Sequence, residues 1–148
     1  MIELNSKTQE DFLNREWVQR LLDAGVDMSD AKYSIAARSG DNKDYVFSKS
    51  SFDKMDVFMA SKWLNIIPTY TASELLHKLP DMVFRTIDSE KYAGPLVLRK
   101  VLFSHIAYYA LRNDKEKENV EYLSTSSDSL VKALASLLIH YYTKIKVE

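Results

Sequence analysis

The stretch "PLVLRKVLFSHIAYYALR", Pro95 to Arg112, decides the fold class, because it reads two ways. On a helical wheel, Leu96 to Leu111 is apolar on every side, with Arg99, Lys100 and Arg112 scattered round it. That is not the single stripe of an amphipathic helix. Read as strands, it divides into "PLVLRKVL" and "HIAYYALR", rich in the β-branched and aromatic residues that suit a pleated surface. A turn then falls near Phe103 and Ser104, and this hairpin is the reading adopted. The alternative is one helix opening on Pro95 at its first position.

Outward from this segment the punctuation is clear, since the chain has only three glycines and three prolines. Downstream, "NDKEKENVE", Asn113 to Glu121, is a charge-rich run that reads as a solvated turn or loop. The final helix follows, with Ser126 or Ser127 as cap. Leu130, Leu134, Leu137, Leu138, Tyr141 and Ile145 form its stripe, and Lys132, Ser136, His140 and Thr143 lie opposite.

Upstream, "WLNIIPTYTASELLHKLPDM" (Trp63 to Met82) contains a short helix. Thr71 and Glu74 form a capping box, Leu75, Leu76 and Leu79 make the apolar edge, and Pro80 stops it. Tyr70 alone has no duty in starting, burying or ending that helix. Further back, "SFDKMDVFMASKWL" leans towards helix, with Ser50 or Ser51 as cap. "DAKYSIAARSGDNKDYVFSKS" reads as a hairpin turning at "SGDNKD". The first helix runs from about Thr8 to Ala24, on a Thr8–Asp11 box, with Leu13, Trp17 and Leu21 on one face and Gly25 as its left-handed stop. Phe12 lies off that stripe and packs on the strand side.

The order of elements predicts an α+β domain: a mostly antiparallel sheet with N-terminal, short central and C-terminal helices packed on one face. The 148 residues suit a single domain, 1–148. With no cysteine, disulfides and thiolate chemistry are excluded. The formal net charge of −1 disfavours nucleic acid, whose phosphates are met by a basic excess. No apolar run reaches the ~20 residues of a spanning helix, and "MIELNSKTQEDF" is not a secretory signal. A cytoplasmic protein without membrane contact is expected.

Signatures of chemistry are missing: no glycine-rich phosphate loop, no HExxH, no GxSxG. Asp41, Asn42 and Asp44 sit close together, but the glycine and late glutamate of a calcium loop are absent, and a turn accounts for them. His77, His105 and His140 share no ligand spacing, and Ser104 and His105, adjacent on a strand, point to opposite faces. No catalytic, cofactor-binding or metal-binding residue is assigned, and no cofactor is expected. Two surfaces remain. Arg99, Lys100, His105, Tyr108, Tyr109 and Arg112 mix basic and aromatic side chains, as stacking platforms for single-stranded nucleic acid do. Nine tyrosines is a high count, and tyrosine suits interfaces. The candidate interaction surface is therefore Tyr70, Tyr92, Arg99, Tyr109, Arg112 and Tyr142.

At Ile67–Pro80 and Ser126–Tyr142 the chain resembles a group of small uncharacterised proteins found in gut Bacteroidetes genomes and in phage or prophage contexts. That group's Ile-Pro-x-Tyr-Thr-x-x-Glu-Leu-Leu-x-x-Leu-Pro pattern is met by Ile67, Pro68, Tyr70, Thr71, Glu74, Leu75, Leu76, Leu79 and Pro80. Its Ser-Leu-x-x-Ala-Leu-Ala-x-Leu-Leu-Ile pattern is met by Ser129, Leu130, Ala133, Leu134, Ala135, Leu137, Leu138 and Ile139. The group's usual Asp before the alanine is Lys132 here, and its Trp near the helix end gives way to the His140–Tyr141 region. The match covers roughly the C-terminal half. It implies an α+β fold and a mobile-element origin, and no reaction. The expected role is a non-enzymatic accessory protein working through a protein partner or self-association; the alternative is a nucleic-acid-binding accessory factor.

Overall fold

The computed structural model describes residues 1–5, 7–113 and 120–145, with backbone alone over 120–124. The chain is α+β, its strands divided between two four-stranded antiparallel sheets. Its contacts gather into two compact units, 1–74 and 75–148.

In the N-terminal unit the order is β1 (Ile2–Glu3), a 3-10 turn (Thr8–Glu10), α1 (Arg15–Asp23), β2 (Tyr33–Arg38), β3 (Asp44–Ser48), α2 (Lys49–Asp53), α3 (Val57–Ala60) and β4 (Trp63–Thr69). The sheet order is β1-β3-β2-β4. The expected first helix starts late. Thr8 caps no α-helix; its hydroxyl donates to the Glu3 carbonyl at 2.6 Å. Asn14, extended at φ −80°, ψ 176°, is the true cap, accepting from the Trp17 N–H. The stop is as expected. Gly25 takes φ +89°, its N–H donates to Leu22 and the Val26 N–H donates to Leu21, the paired bonds of a Schellman ending.

The segment before α1 packs on the Tyr33 face of the sheet, where Phe12 meets the Tyr33 ring edge-on at 5.2 Å. On the opposite face Ala36, Tyr45 and Phe47 gather Phe52, Met55 and Trp63 in an aromatic cluster, with Phe47 4.5 Å from Trp63. Residues 51–63 are thus two short helices and the start of a strand. Ser48 and Asp56 cap the helices, not Ser50 or Ser51. Strand β4 has no place in the expected element order, where "WLNIIP" led straight to a helix. It pairs with β2 alone, and at such a sheet margin the missing N–H of Pro68 is tolerated. A bulge near Ala36 puts Asn65 at φ +52°, and the Asn65 carbonyl accepts from Arg15 Nη1 at 2.6 Å.

The division between the units falls inside α4 (Ala72–Lys78). Its capping box is closed as expected: Glu74 N–H donates to the Thr71 hydroxyl at 3.3 Å, and Thr71 N–H donates to the Glu74 carboxylate at 3.1 Å.

The C-terminal unit follows with β5 (Met82–Ile87), β6 (Glu90–Val101), β7 (Ser104–Asn113), β8 (Val120–Ser127) and α5 (Leu130–His140), which runs on as a π-turn (Tyr141–Ile145). The segment that decides the class is a hairpin, Val101 opposite Ser104. Of the charge-rich run, 114–119 lies outside the described residues, and Val120 and Glu121 already belong to β8. Ser126 and Ser127 are strand residues, so the cap passes to Ser129, which accepts from the Lys132 N–H. Val131, Ala133, Leu134, Ala135, Leu137 and Leu138 are buried. Thr125, opposite Ala107 in the register, donates to the Ala133 carbonyl at 2.8 Å, so α5 covers the face of Ala107, Tyr109 and Leu111.

Gly94 of β6 lies close against the backbone of β7. A Cβ there would stand 2.1 Å from the Ala110 carbonyl oxygen, against backbone and not the end of a flexible side chain. Gly94→Ala is expected to destabilise by at least the ~1–3 kcal/mol of an overpacked core. Gly25→Ala has open space round it and only the left-handed backbone against it, about 1–2 kcal/mol. Thermal denaturation of the two variants should place Gly94→Ala well below Gly25→Ala.

Candidate functional site

Residues opposite one another in an antiparallel pair share a face, and neighbours along a strand alternate. The register therefore sorts the C-terminal sheet. One face carries Val83, Tyr92, Leu96, Ala107, Tyr109 and Leu111 and lies under α5. The other, the open face, carries Met82, Phe84 and Thr86 of β5, Lys91, Ala93, Pro95, Val97, Arg99 and Val101 of β6, and Ser104, Ile106, Tyr108, Ala110 and Arg112 of β7.

This alternation splits the basic and aromatic residues of the hairpin. Arg99, Tyr108 and Arg112 share the open face, whereas Lys100 pairs with His105 on the other side. Two tyrosines assigned to the interaction surface are interior. Tyr109 is fully buried, its hydroxyl donating to the Pro80 carbonyl at 2.6 Å. Tyr70 is 1% exposed; its hydroxyl donates to the Asp30 carboxylate and to the Asp27 carbonyl. The residue with no visible duty is thus the pin that holds the loop after α1, a link between residues far apart in sequence. Tyr92 is half-buried on the helix-covered side, and Tyr142 is half-buried in the π-turn, edge-on to Tyr141 at 5.9 Å.

Phe84 is not among the expected site residues. It stands in one cross-strand row with Ala93 and Arg112 and is 72% exposed. Lys91, in the next row with Thr86, is exposed as well. These five residues, with Arg85 and Tyr92, line an open groove of about 510 Å³. A second groove of about 390 Å³, in the N-terminal unit, is lined by Leu22, Val26, Met28, Lys49, Ile66 and Pro68 among others.

The β6–β7 turn is a further feature. Leu102 takes φ +53°, a left-handed conformation that glycine or asparagine adopts more readily than leucine. Leu102 is 86% exposed and Phe103 is 90% exposed.

His77 is exposed on α4, and neither groove includes a histidine. Burial, with Lys144 nearby, lowers the His140 pKa. Asp41 accepts from the Lys43 N–H, which leads the lowering of its pKa, and pairs with Arg38 and the Tyr45 hydroxyl; a turn is what it builds. Among the described residues no three His, Asp or Glu side chains are placed to share a metal, and no helix is long and apolar enough to cross a membrane.

No family model, no curated protein and no solved structure matches this chain.

Burial pushes the Tyr70 and Tyr109 hydroxyls far above the ordinary tyrosine value, Tyr70 also through the Asp30 carboxylate. Each folded-state pKa exceeds its unfolded one, so their contribution is present below about pH 10 and is lost as pH rises further, where the unfolded chain releases protons that the folded chain keeps. Urea titrations should show stability falling above about pH 10. Tyr70→Phe should cost about 1–3 kcal/mol at neutral pH, since Asp30 and the Asp27 carbonyl lose a donor, and should make the alkaline loss shallower. Stability that rises above that pH would contradict the assignment.

Proposed function

We propose that the chain is a non-enzymatic accessory protein that acts by binding another protein or a second copy of itself, through the Val101–Ser104 turn. The observation that carries this reading is the conjunction at Leu102. A leucine holds a backbone conformation that suits glycine, and the result is to present Leu102 and Phe103, both largely exposed, at the tip of a long hairpin. Strained non-glycine residues cost about 1–3 kcal/mol each and gather where binding occurs. Large apolar side chains placed together on a surface mark interaction sites. The resemblance to small phage-associated and Bacteroidetes proteins supports an origin in a prophage or other mobile element.

The test is the double variant Leu102→Asn, Phe103→Ser. Asparagine suits φ > 0, so the variant should fold with a Tm equal to or above that of the parent chain. Sedimentation velocity over a concentration series, and capture from lysate of the source cells, should show loss of the self-associated species or of the captured partner. If parent and variant give the same species and the same captured proteins, the turn is not the interface.

A further inference from the structure

The open face of the C-terminal sheet differs in charge from the chain as a whole. Over β5, β6 and β7 it carries Lys91, Arg99 and Arg112 and, among the described residues, no carboxylate. The acidic residues of these strands do not fall on it: Glu90 lies on the other face, where its carboxylate accepts from Asn113 at 3.2 Å. A net charge of −1 is thus an average over a segregated surface. No ion pair engages Lys91, Arg99 or Arg112 among the described residues.

The second observation is aromatic. Phe84 is 72% exposed in the row of Arg112, with the small Ala93 between them. Two strand spacings put the Phe84 and Arg112 backbones about 10 Å apart, and Arg99 lies roughly 20 Å along β6 from that row. Tyr108 sits between, half-buried, on the same face. An exposed ring above a small residue gives a flat apolar floor for a planar group. Cations on either side of it can neutralise charges that recur along an extended ligand. A protein partner would fit less well, because an apolar partner face would have to desolvate Lys91 and Arg112 unpaired.

We infer that this open face binds single-stranded nucleic acid, with an unpaired base on Phe84 and backbone phosphates against Lys91, Arg112 and Arg99. Stacking on a π-face needs no base specificity, and a groove of about 510 Å³ beside Phe84 leaves room for a base. Duplex keeps its bases inside and offers Phe84 nothing to stack on.

The experiment uses the full chain and fluorescence anisotropy with labelled 15-mer single strands, DNA and RNA, at 50 to 200 mM salt. Matched duplex, heparin and anionic phosphatidylserine vesicles are the comparison arms. Single strands of either sugar should bind in preference to duplex, and the affinity should fall as salt rises. Lys91→Gln with Arg112→Gln should reduce the salt slope by about 1.4, at ~0.7 for each phosphate no longer neutralised. Phe84→Ser should weaken binding roughly 5- to 150-fold while leaving the salt slope unchanged. All these side chains are exposed, so the Tm of each variant should match the parent, which distinguishes weakened binding from a failure to fold. The Leu102→Asn, Phe103→Ser variant should bind as the parent does, so failure of the hairpin-tip interface does not touch this inference. No binding at 50 mM salt overturns it. Binding to duplex and heparin as strong as to single strands, with Phe84→Ser silent, overturns it in favour of general polyanion attraction. Preference for the vesicles overturns it in favour of a lipid surface.

Discussion

At position 94 strand β6 passes so close to β7 that no side chain fits between them. The Ala110 carbonyl occupies the space that any Cβ would need, at 2.1 Å from where it would stand. On either side of that point the register is the same: Leu96 opposite Tyr109, Ala93 opposite Arg112. A slip by one residue would turn every side chain to the other face. Tyr109 and Leu111 would leave the cover of α5, and Arg112 would enter it. The burial of one face and the charge of the other are therefore consequences of the same register.

The two faces show what alternation does to a mixed sequence. "HIAYYALR" looks like an even blend of aromatic and basic character. Folded, its odd-numbered residues go to the helix-covered side, where Ala107, Tyr109 and Leu111 are buried, and its even-numbered ones to the open side, so that Tyr108 and Tyr109 have different environments. Composition counts both tyrosines alike. It likewise counts Lys91 and Glu90 as cancelling, although the pleat sends them to opposite sides.

Local signals are legible in the chain. The capping box at Thr71 and Glu74, the left-handed stop at Gly25 and the hairpin over Pro95–Arg112 depend on residues within a few positions of each other, and all are present; of the last helix's expected stripe, Leu134, Leu137 and Leu138 are buried, while Leu130 is half-buried and Tyr141 and Ile145 fall in the turn after α5. What is not legible depends on partners distant in sequence. Strand β4 exists because β2 offers it an edge, with Ile67 opposite Ile35, and no periodicity within "WLNIIPT" announces that. Helix α1 is capped at Asn14 and not at Thr8 because the preceding residues are drawn away: Leu13 N–H donates to the Tyr70 carbonyl, and Thr69 donates to the Leu13 carbonyl at 2.7 Å. Tyr70 looks idle because its partners, Asp27 and Asp30, are about forty residues off. Phe84 gives no local signal for the same reason. Only the pairing of β5 with β6, and of β6 with β7, brings it into line with Arg112.

The bulge in β4 has a consequence for association. Leu64 and Ile66 are about half exposed on a strand at the margin of its sheet, a combination that invites a strand from another molecule to add on and begin a fibril. The kink at Asn65 falls between them and interrupts the regular spacing of donors and acceptors that such an addition would copy. The Asn65 carbonyl is already taken by Arg15, so one place in the template is occupied from within. At the other margin, β1 is two residues long, too short to seed a ladder. The N-terminal sheet can thus keep apolar side chains at its rim without offering its backbone for amyloid growth or strand exchange.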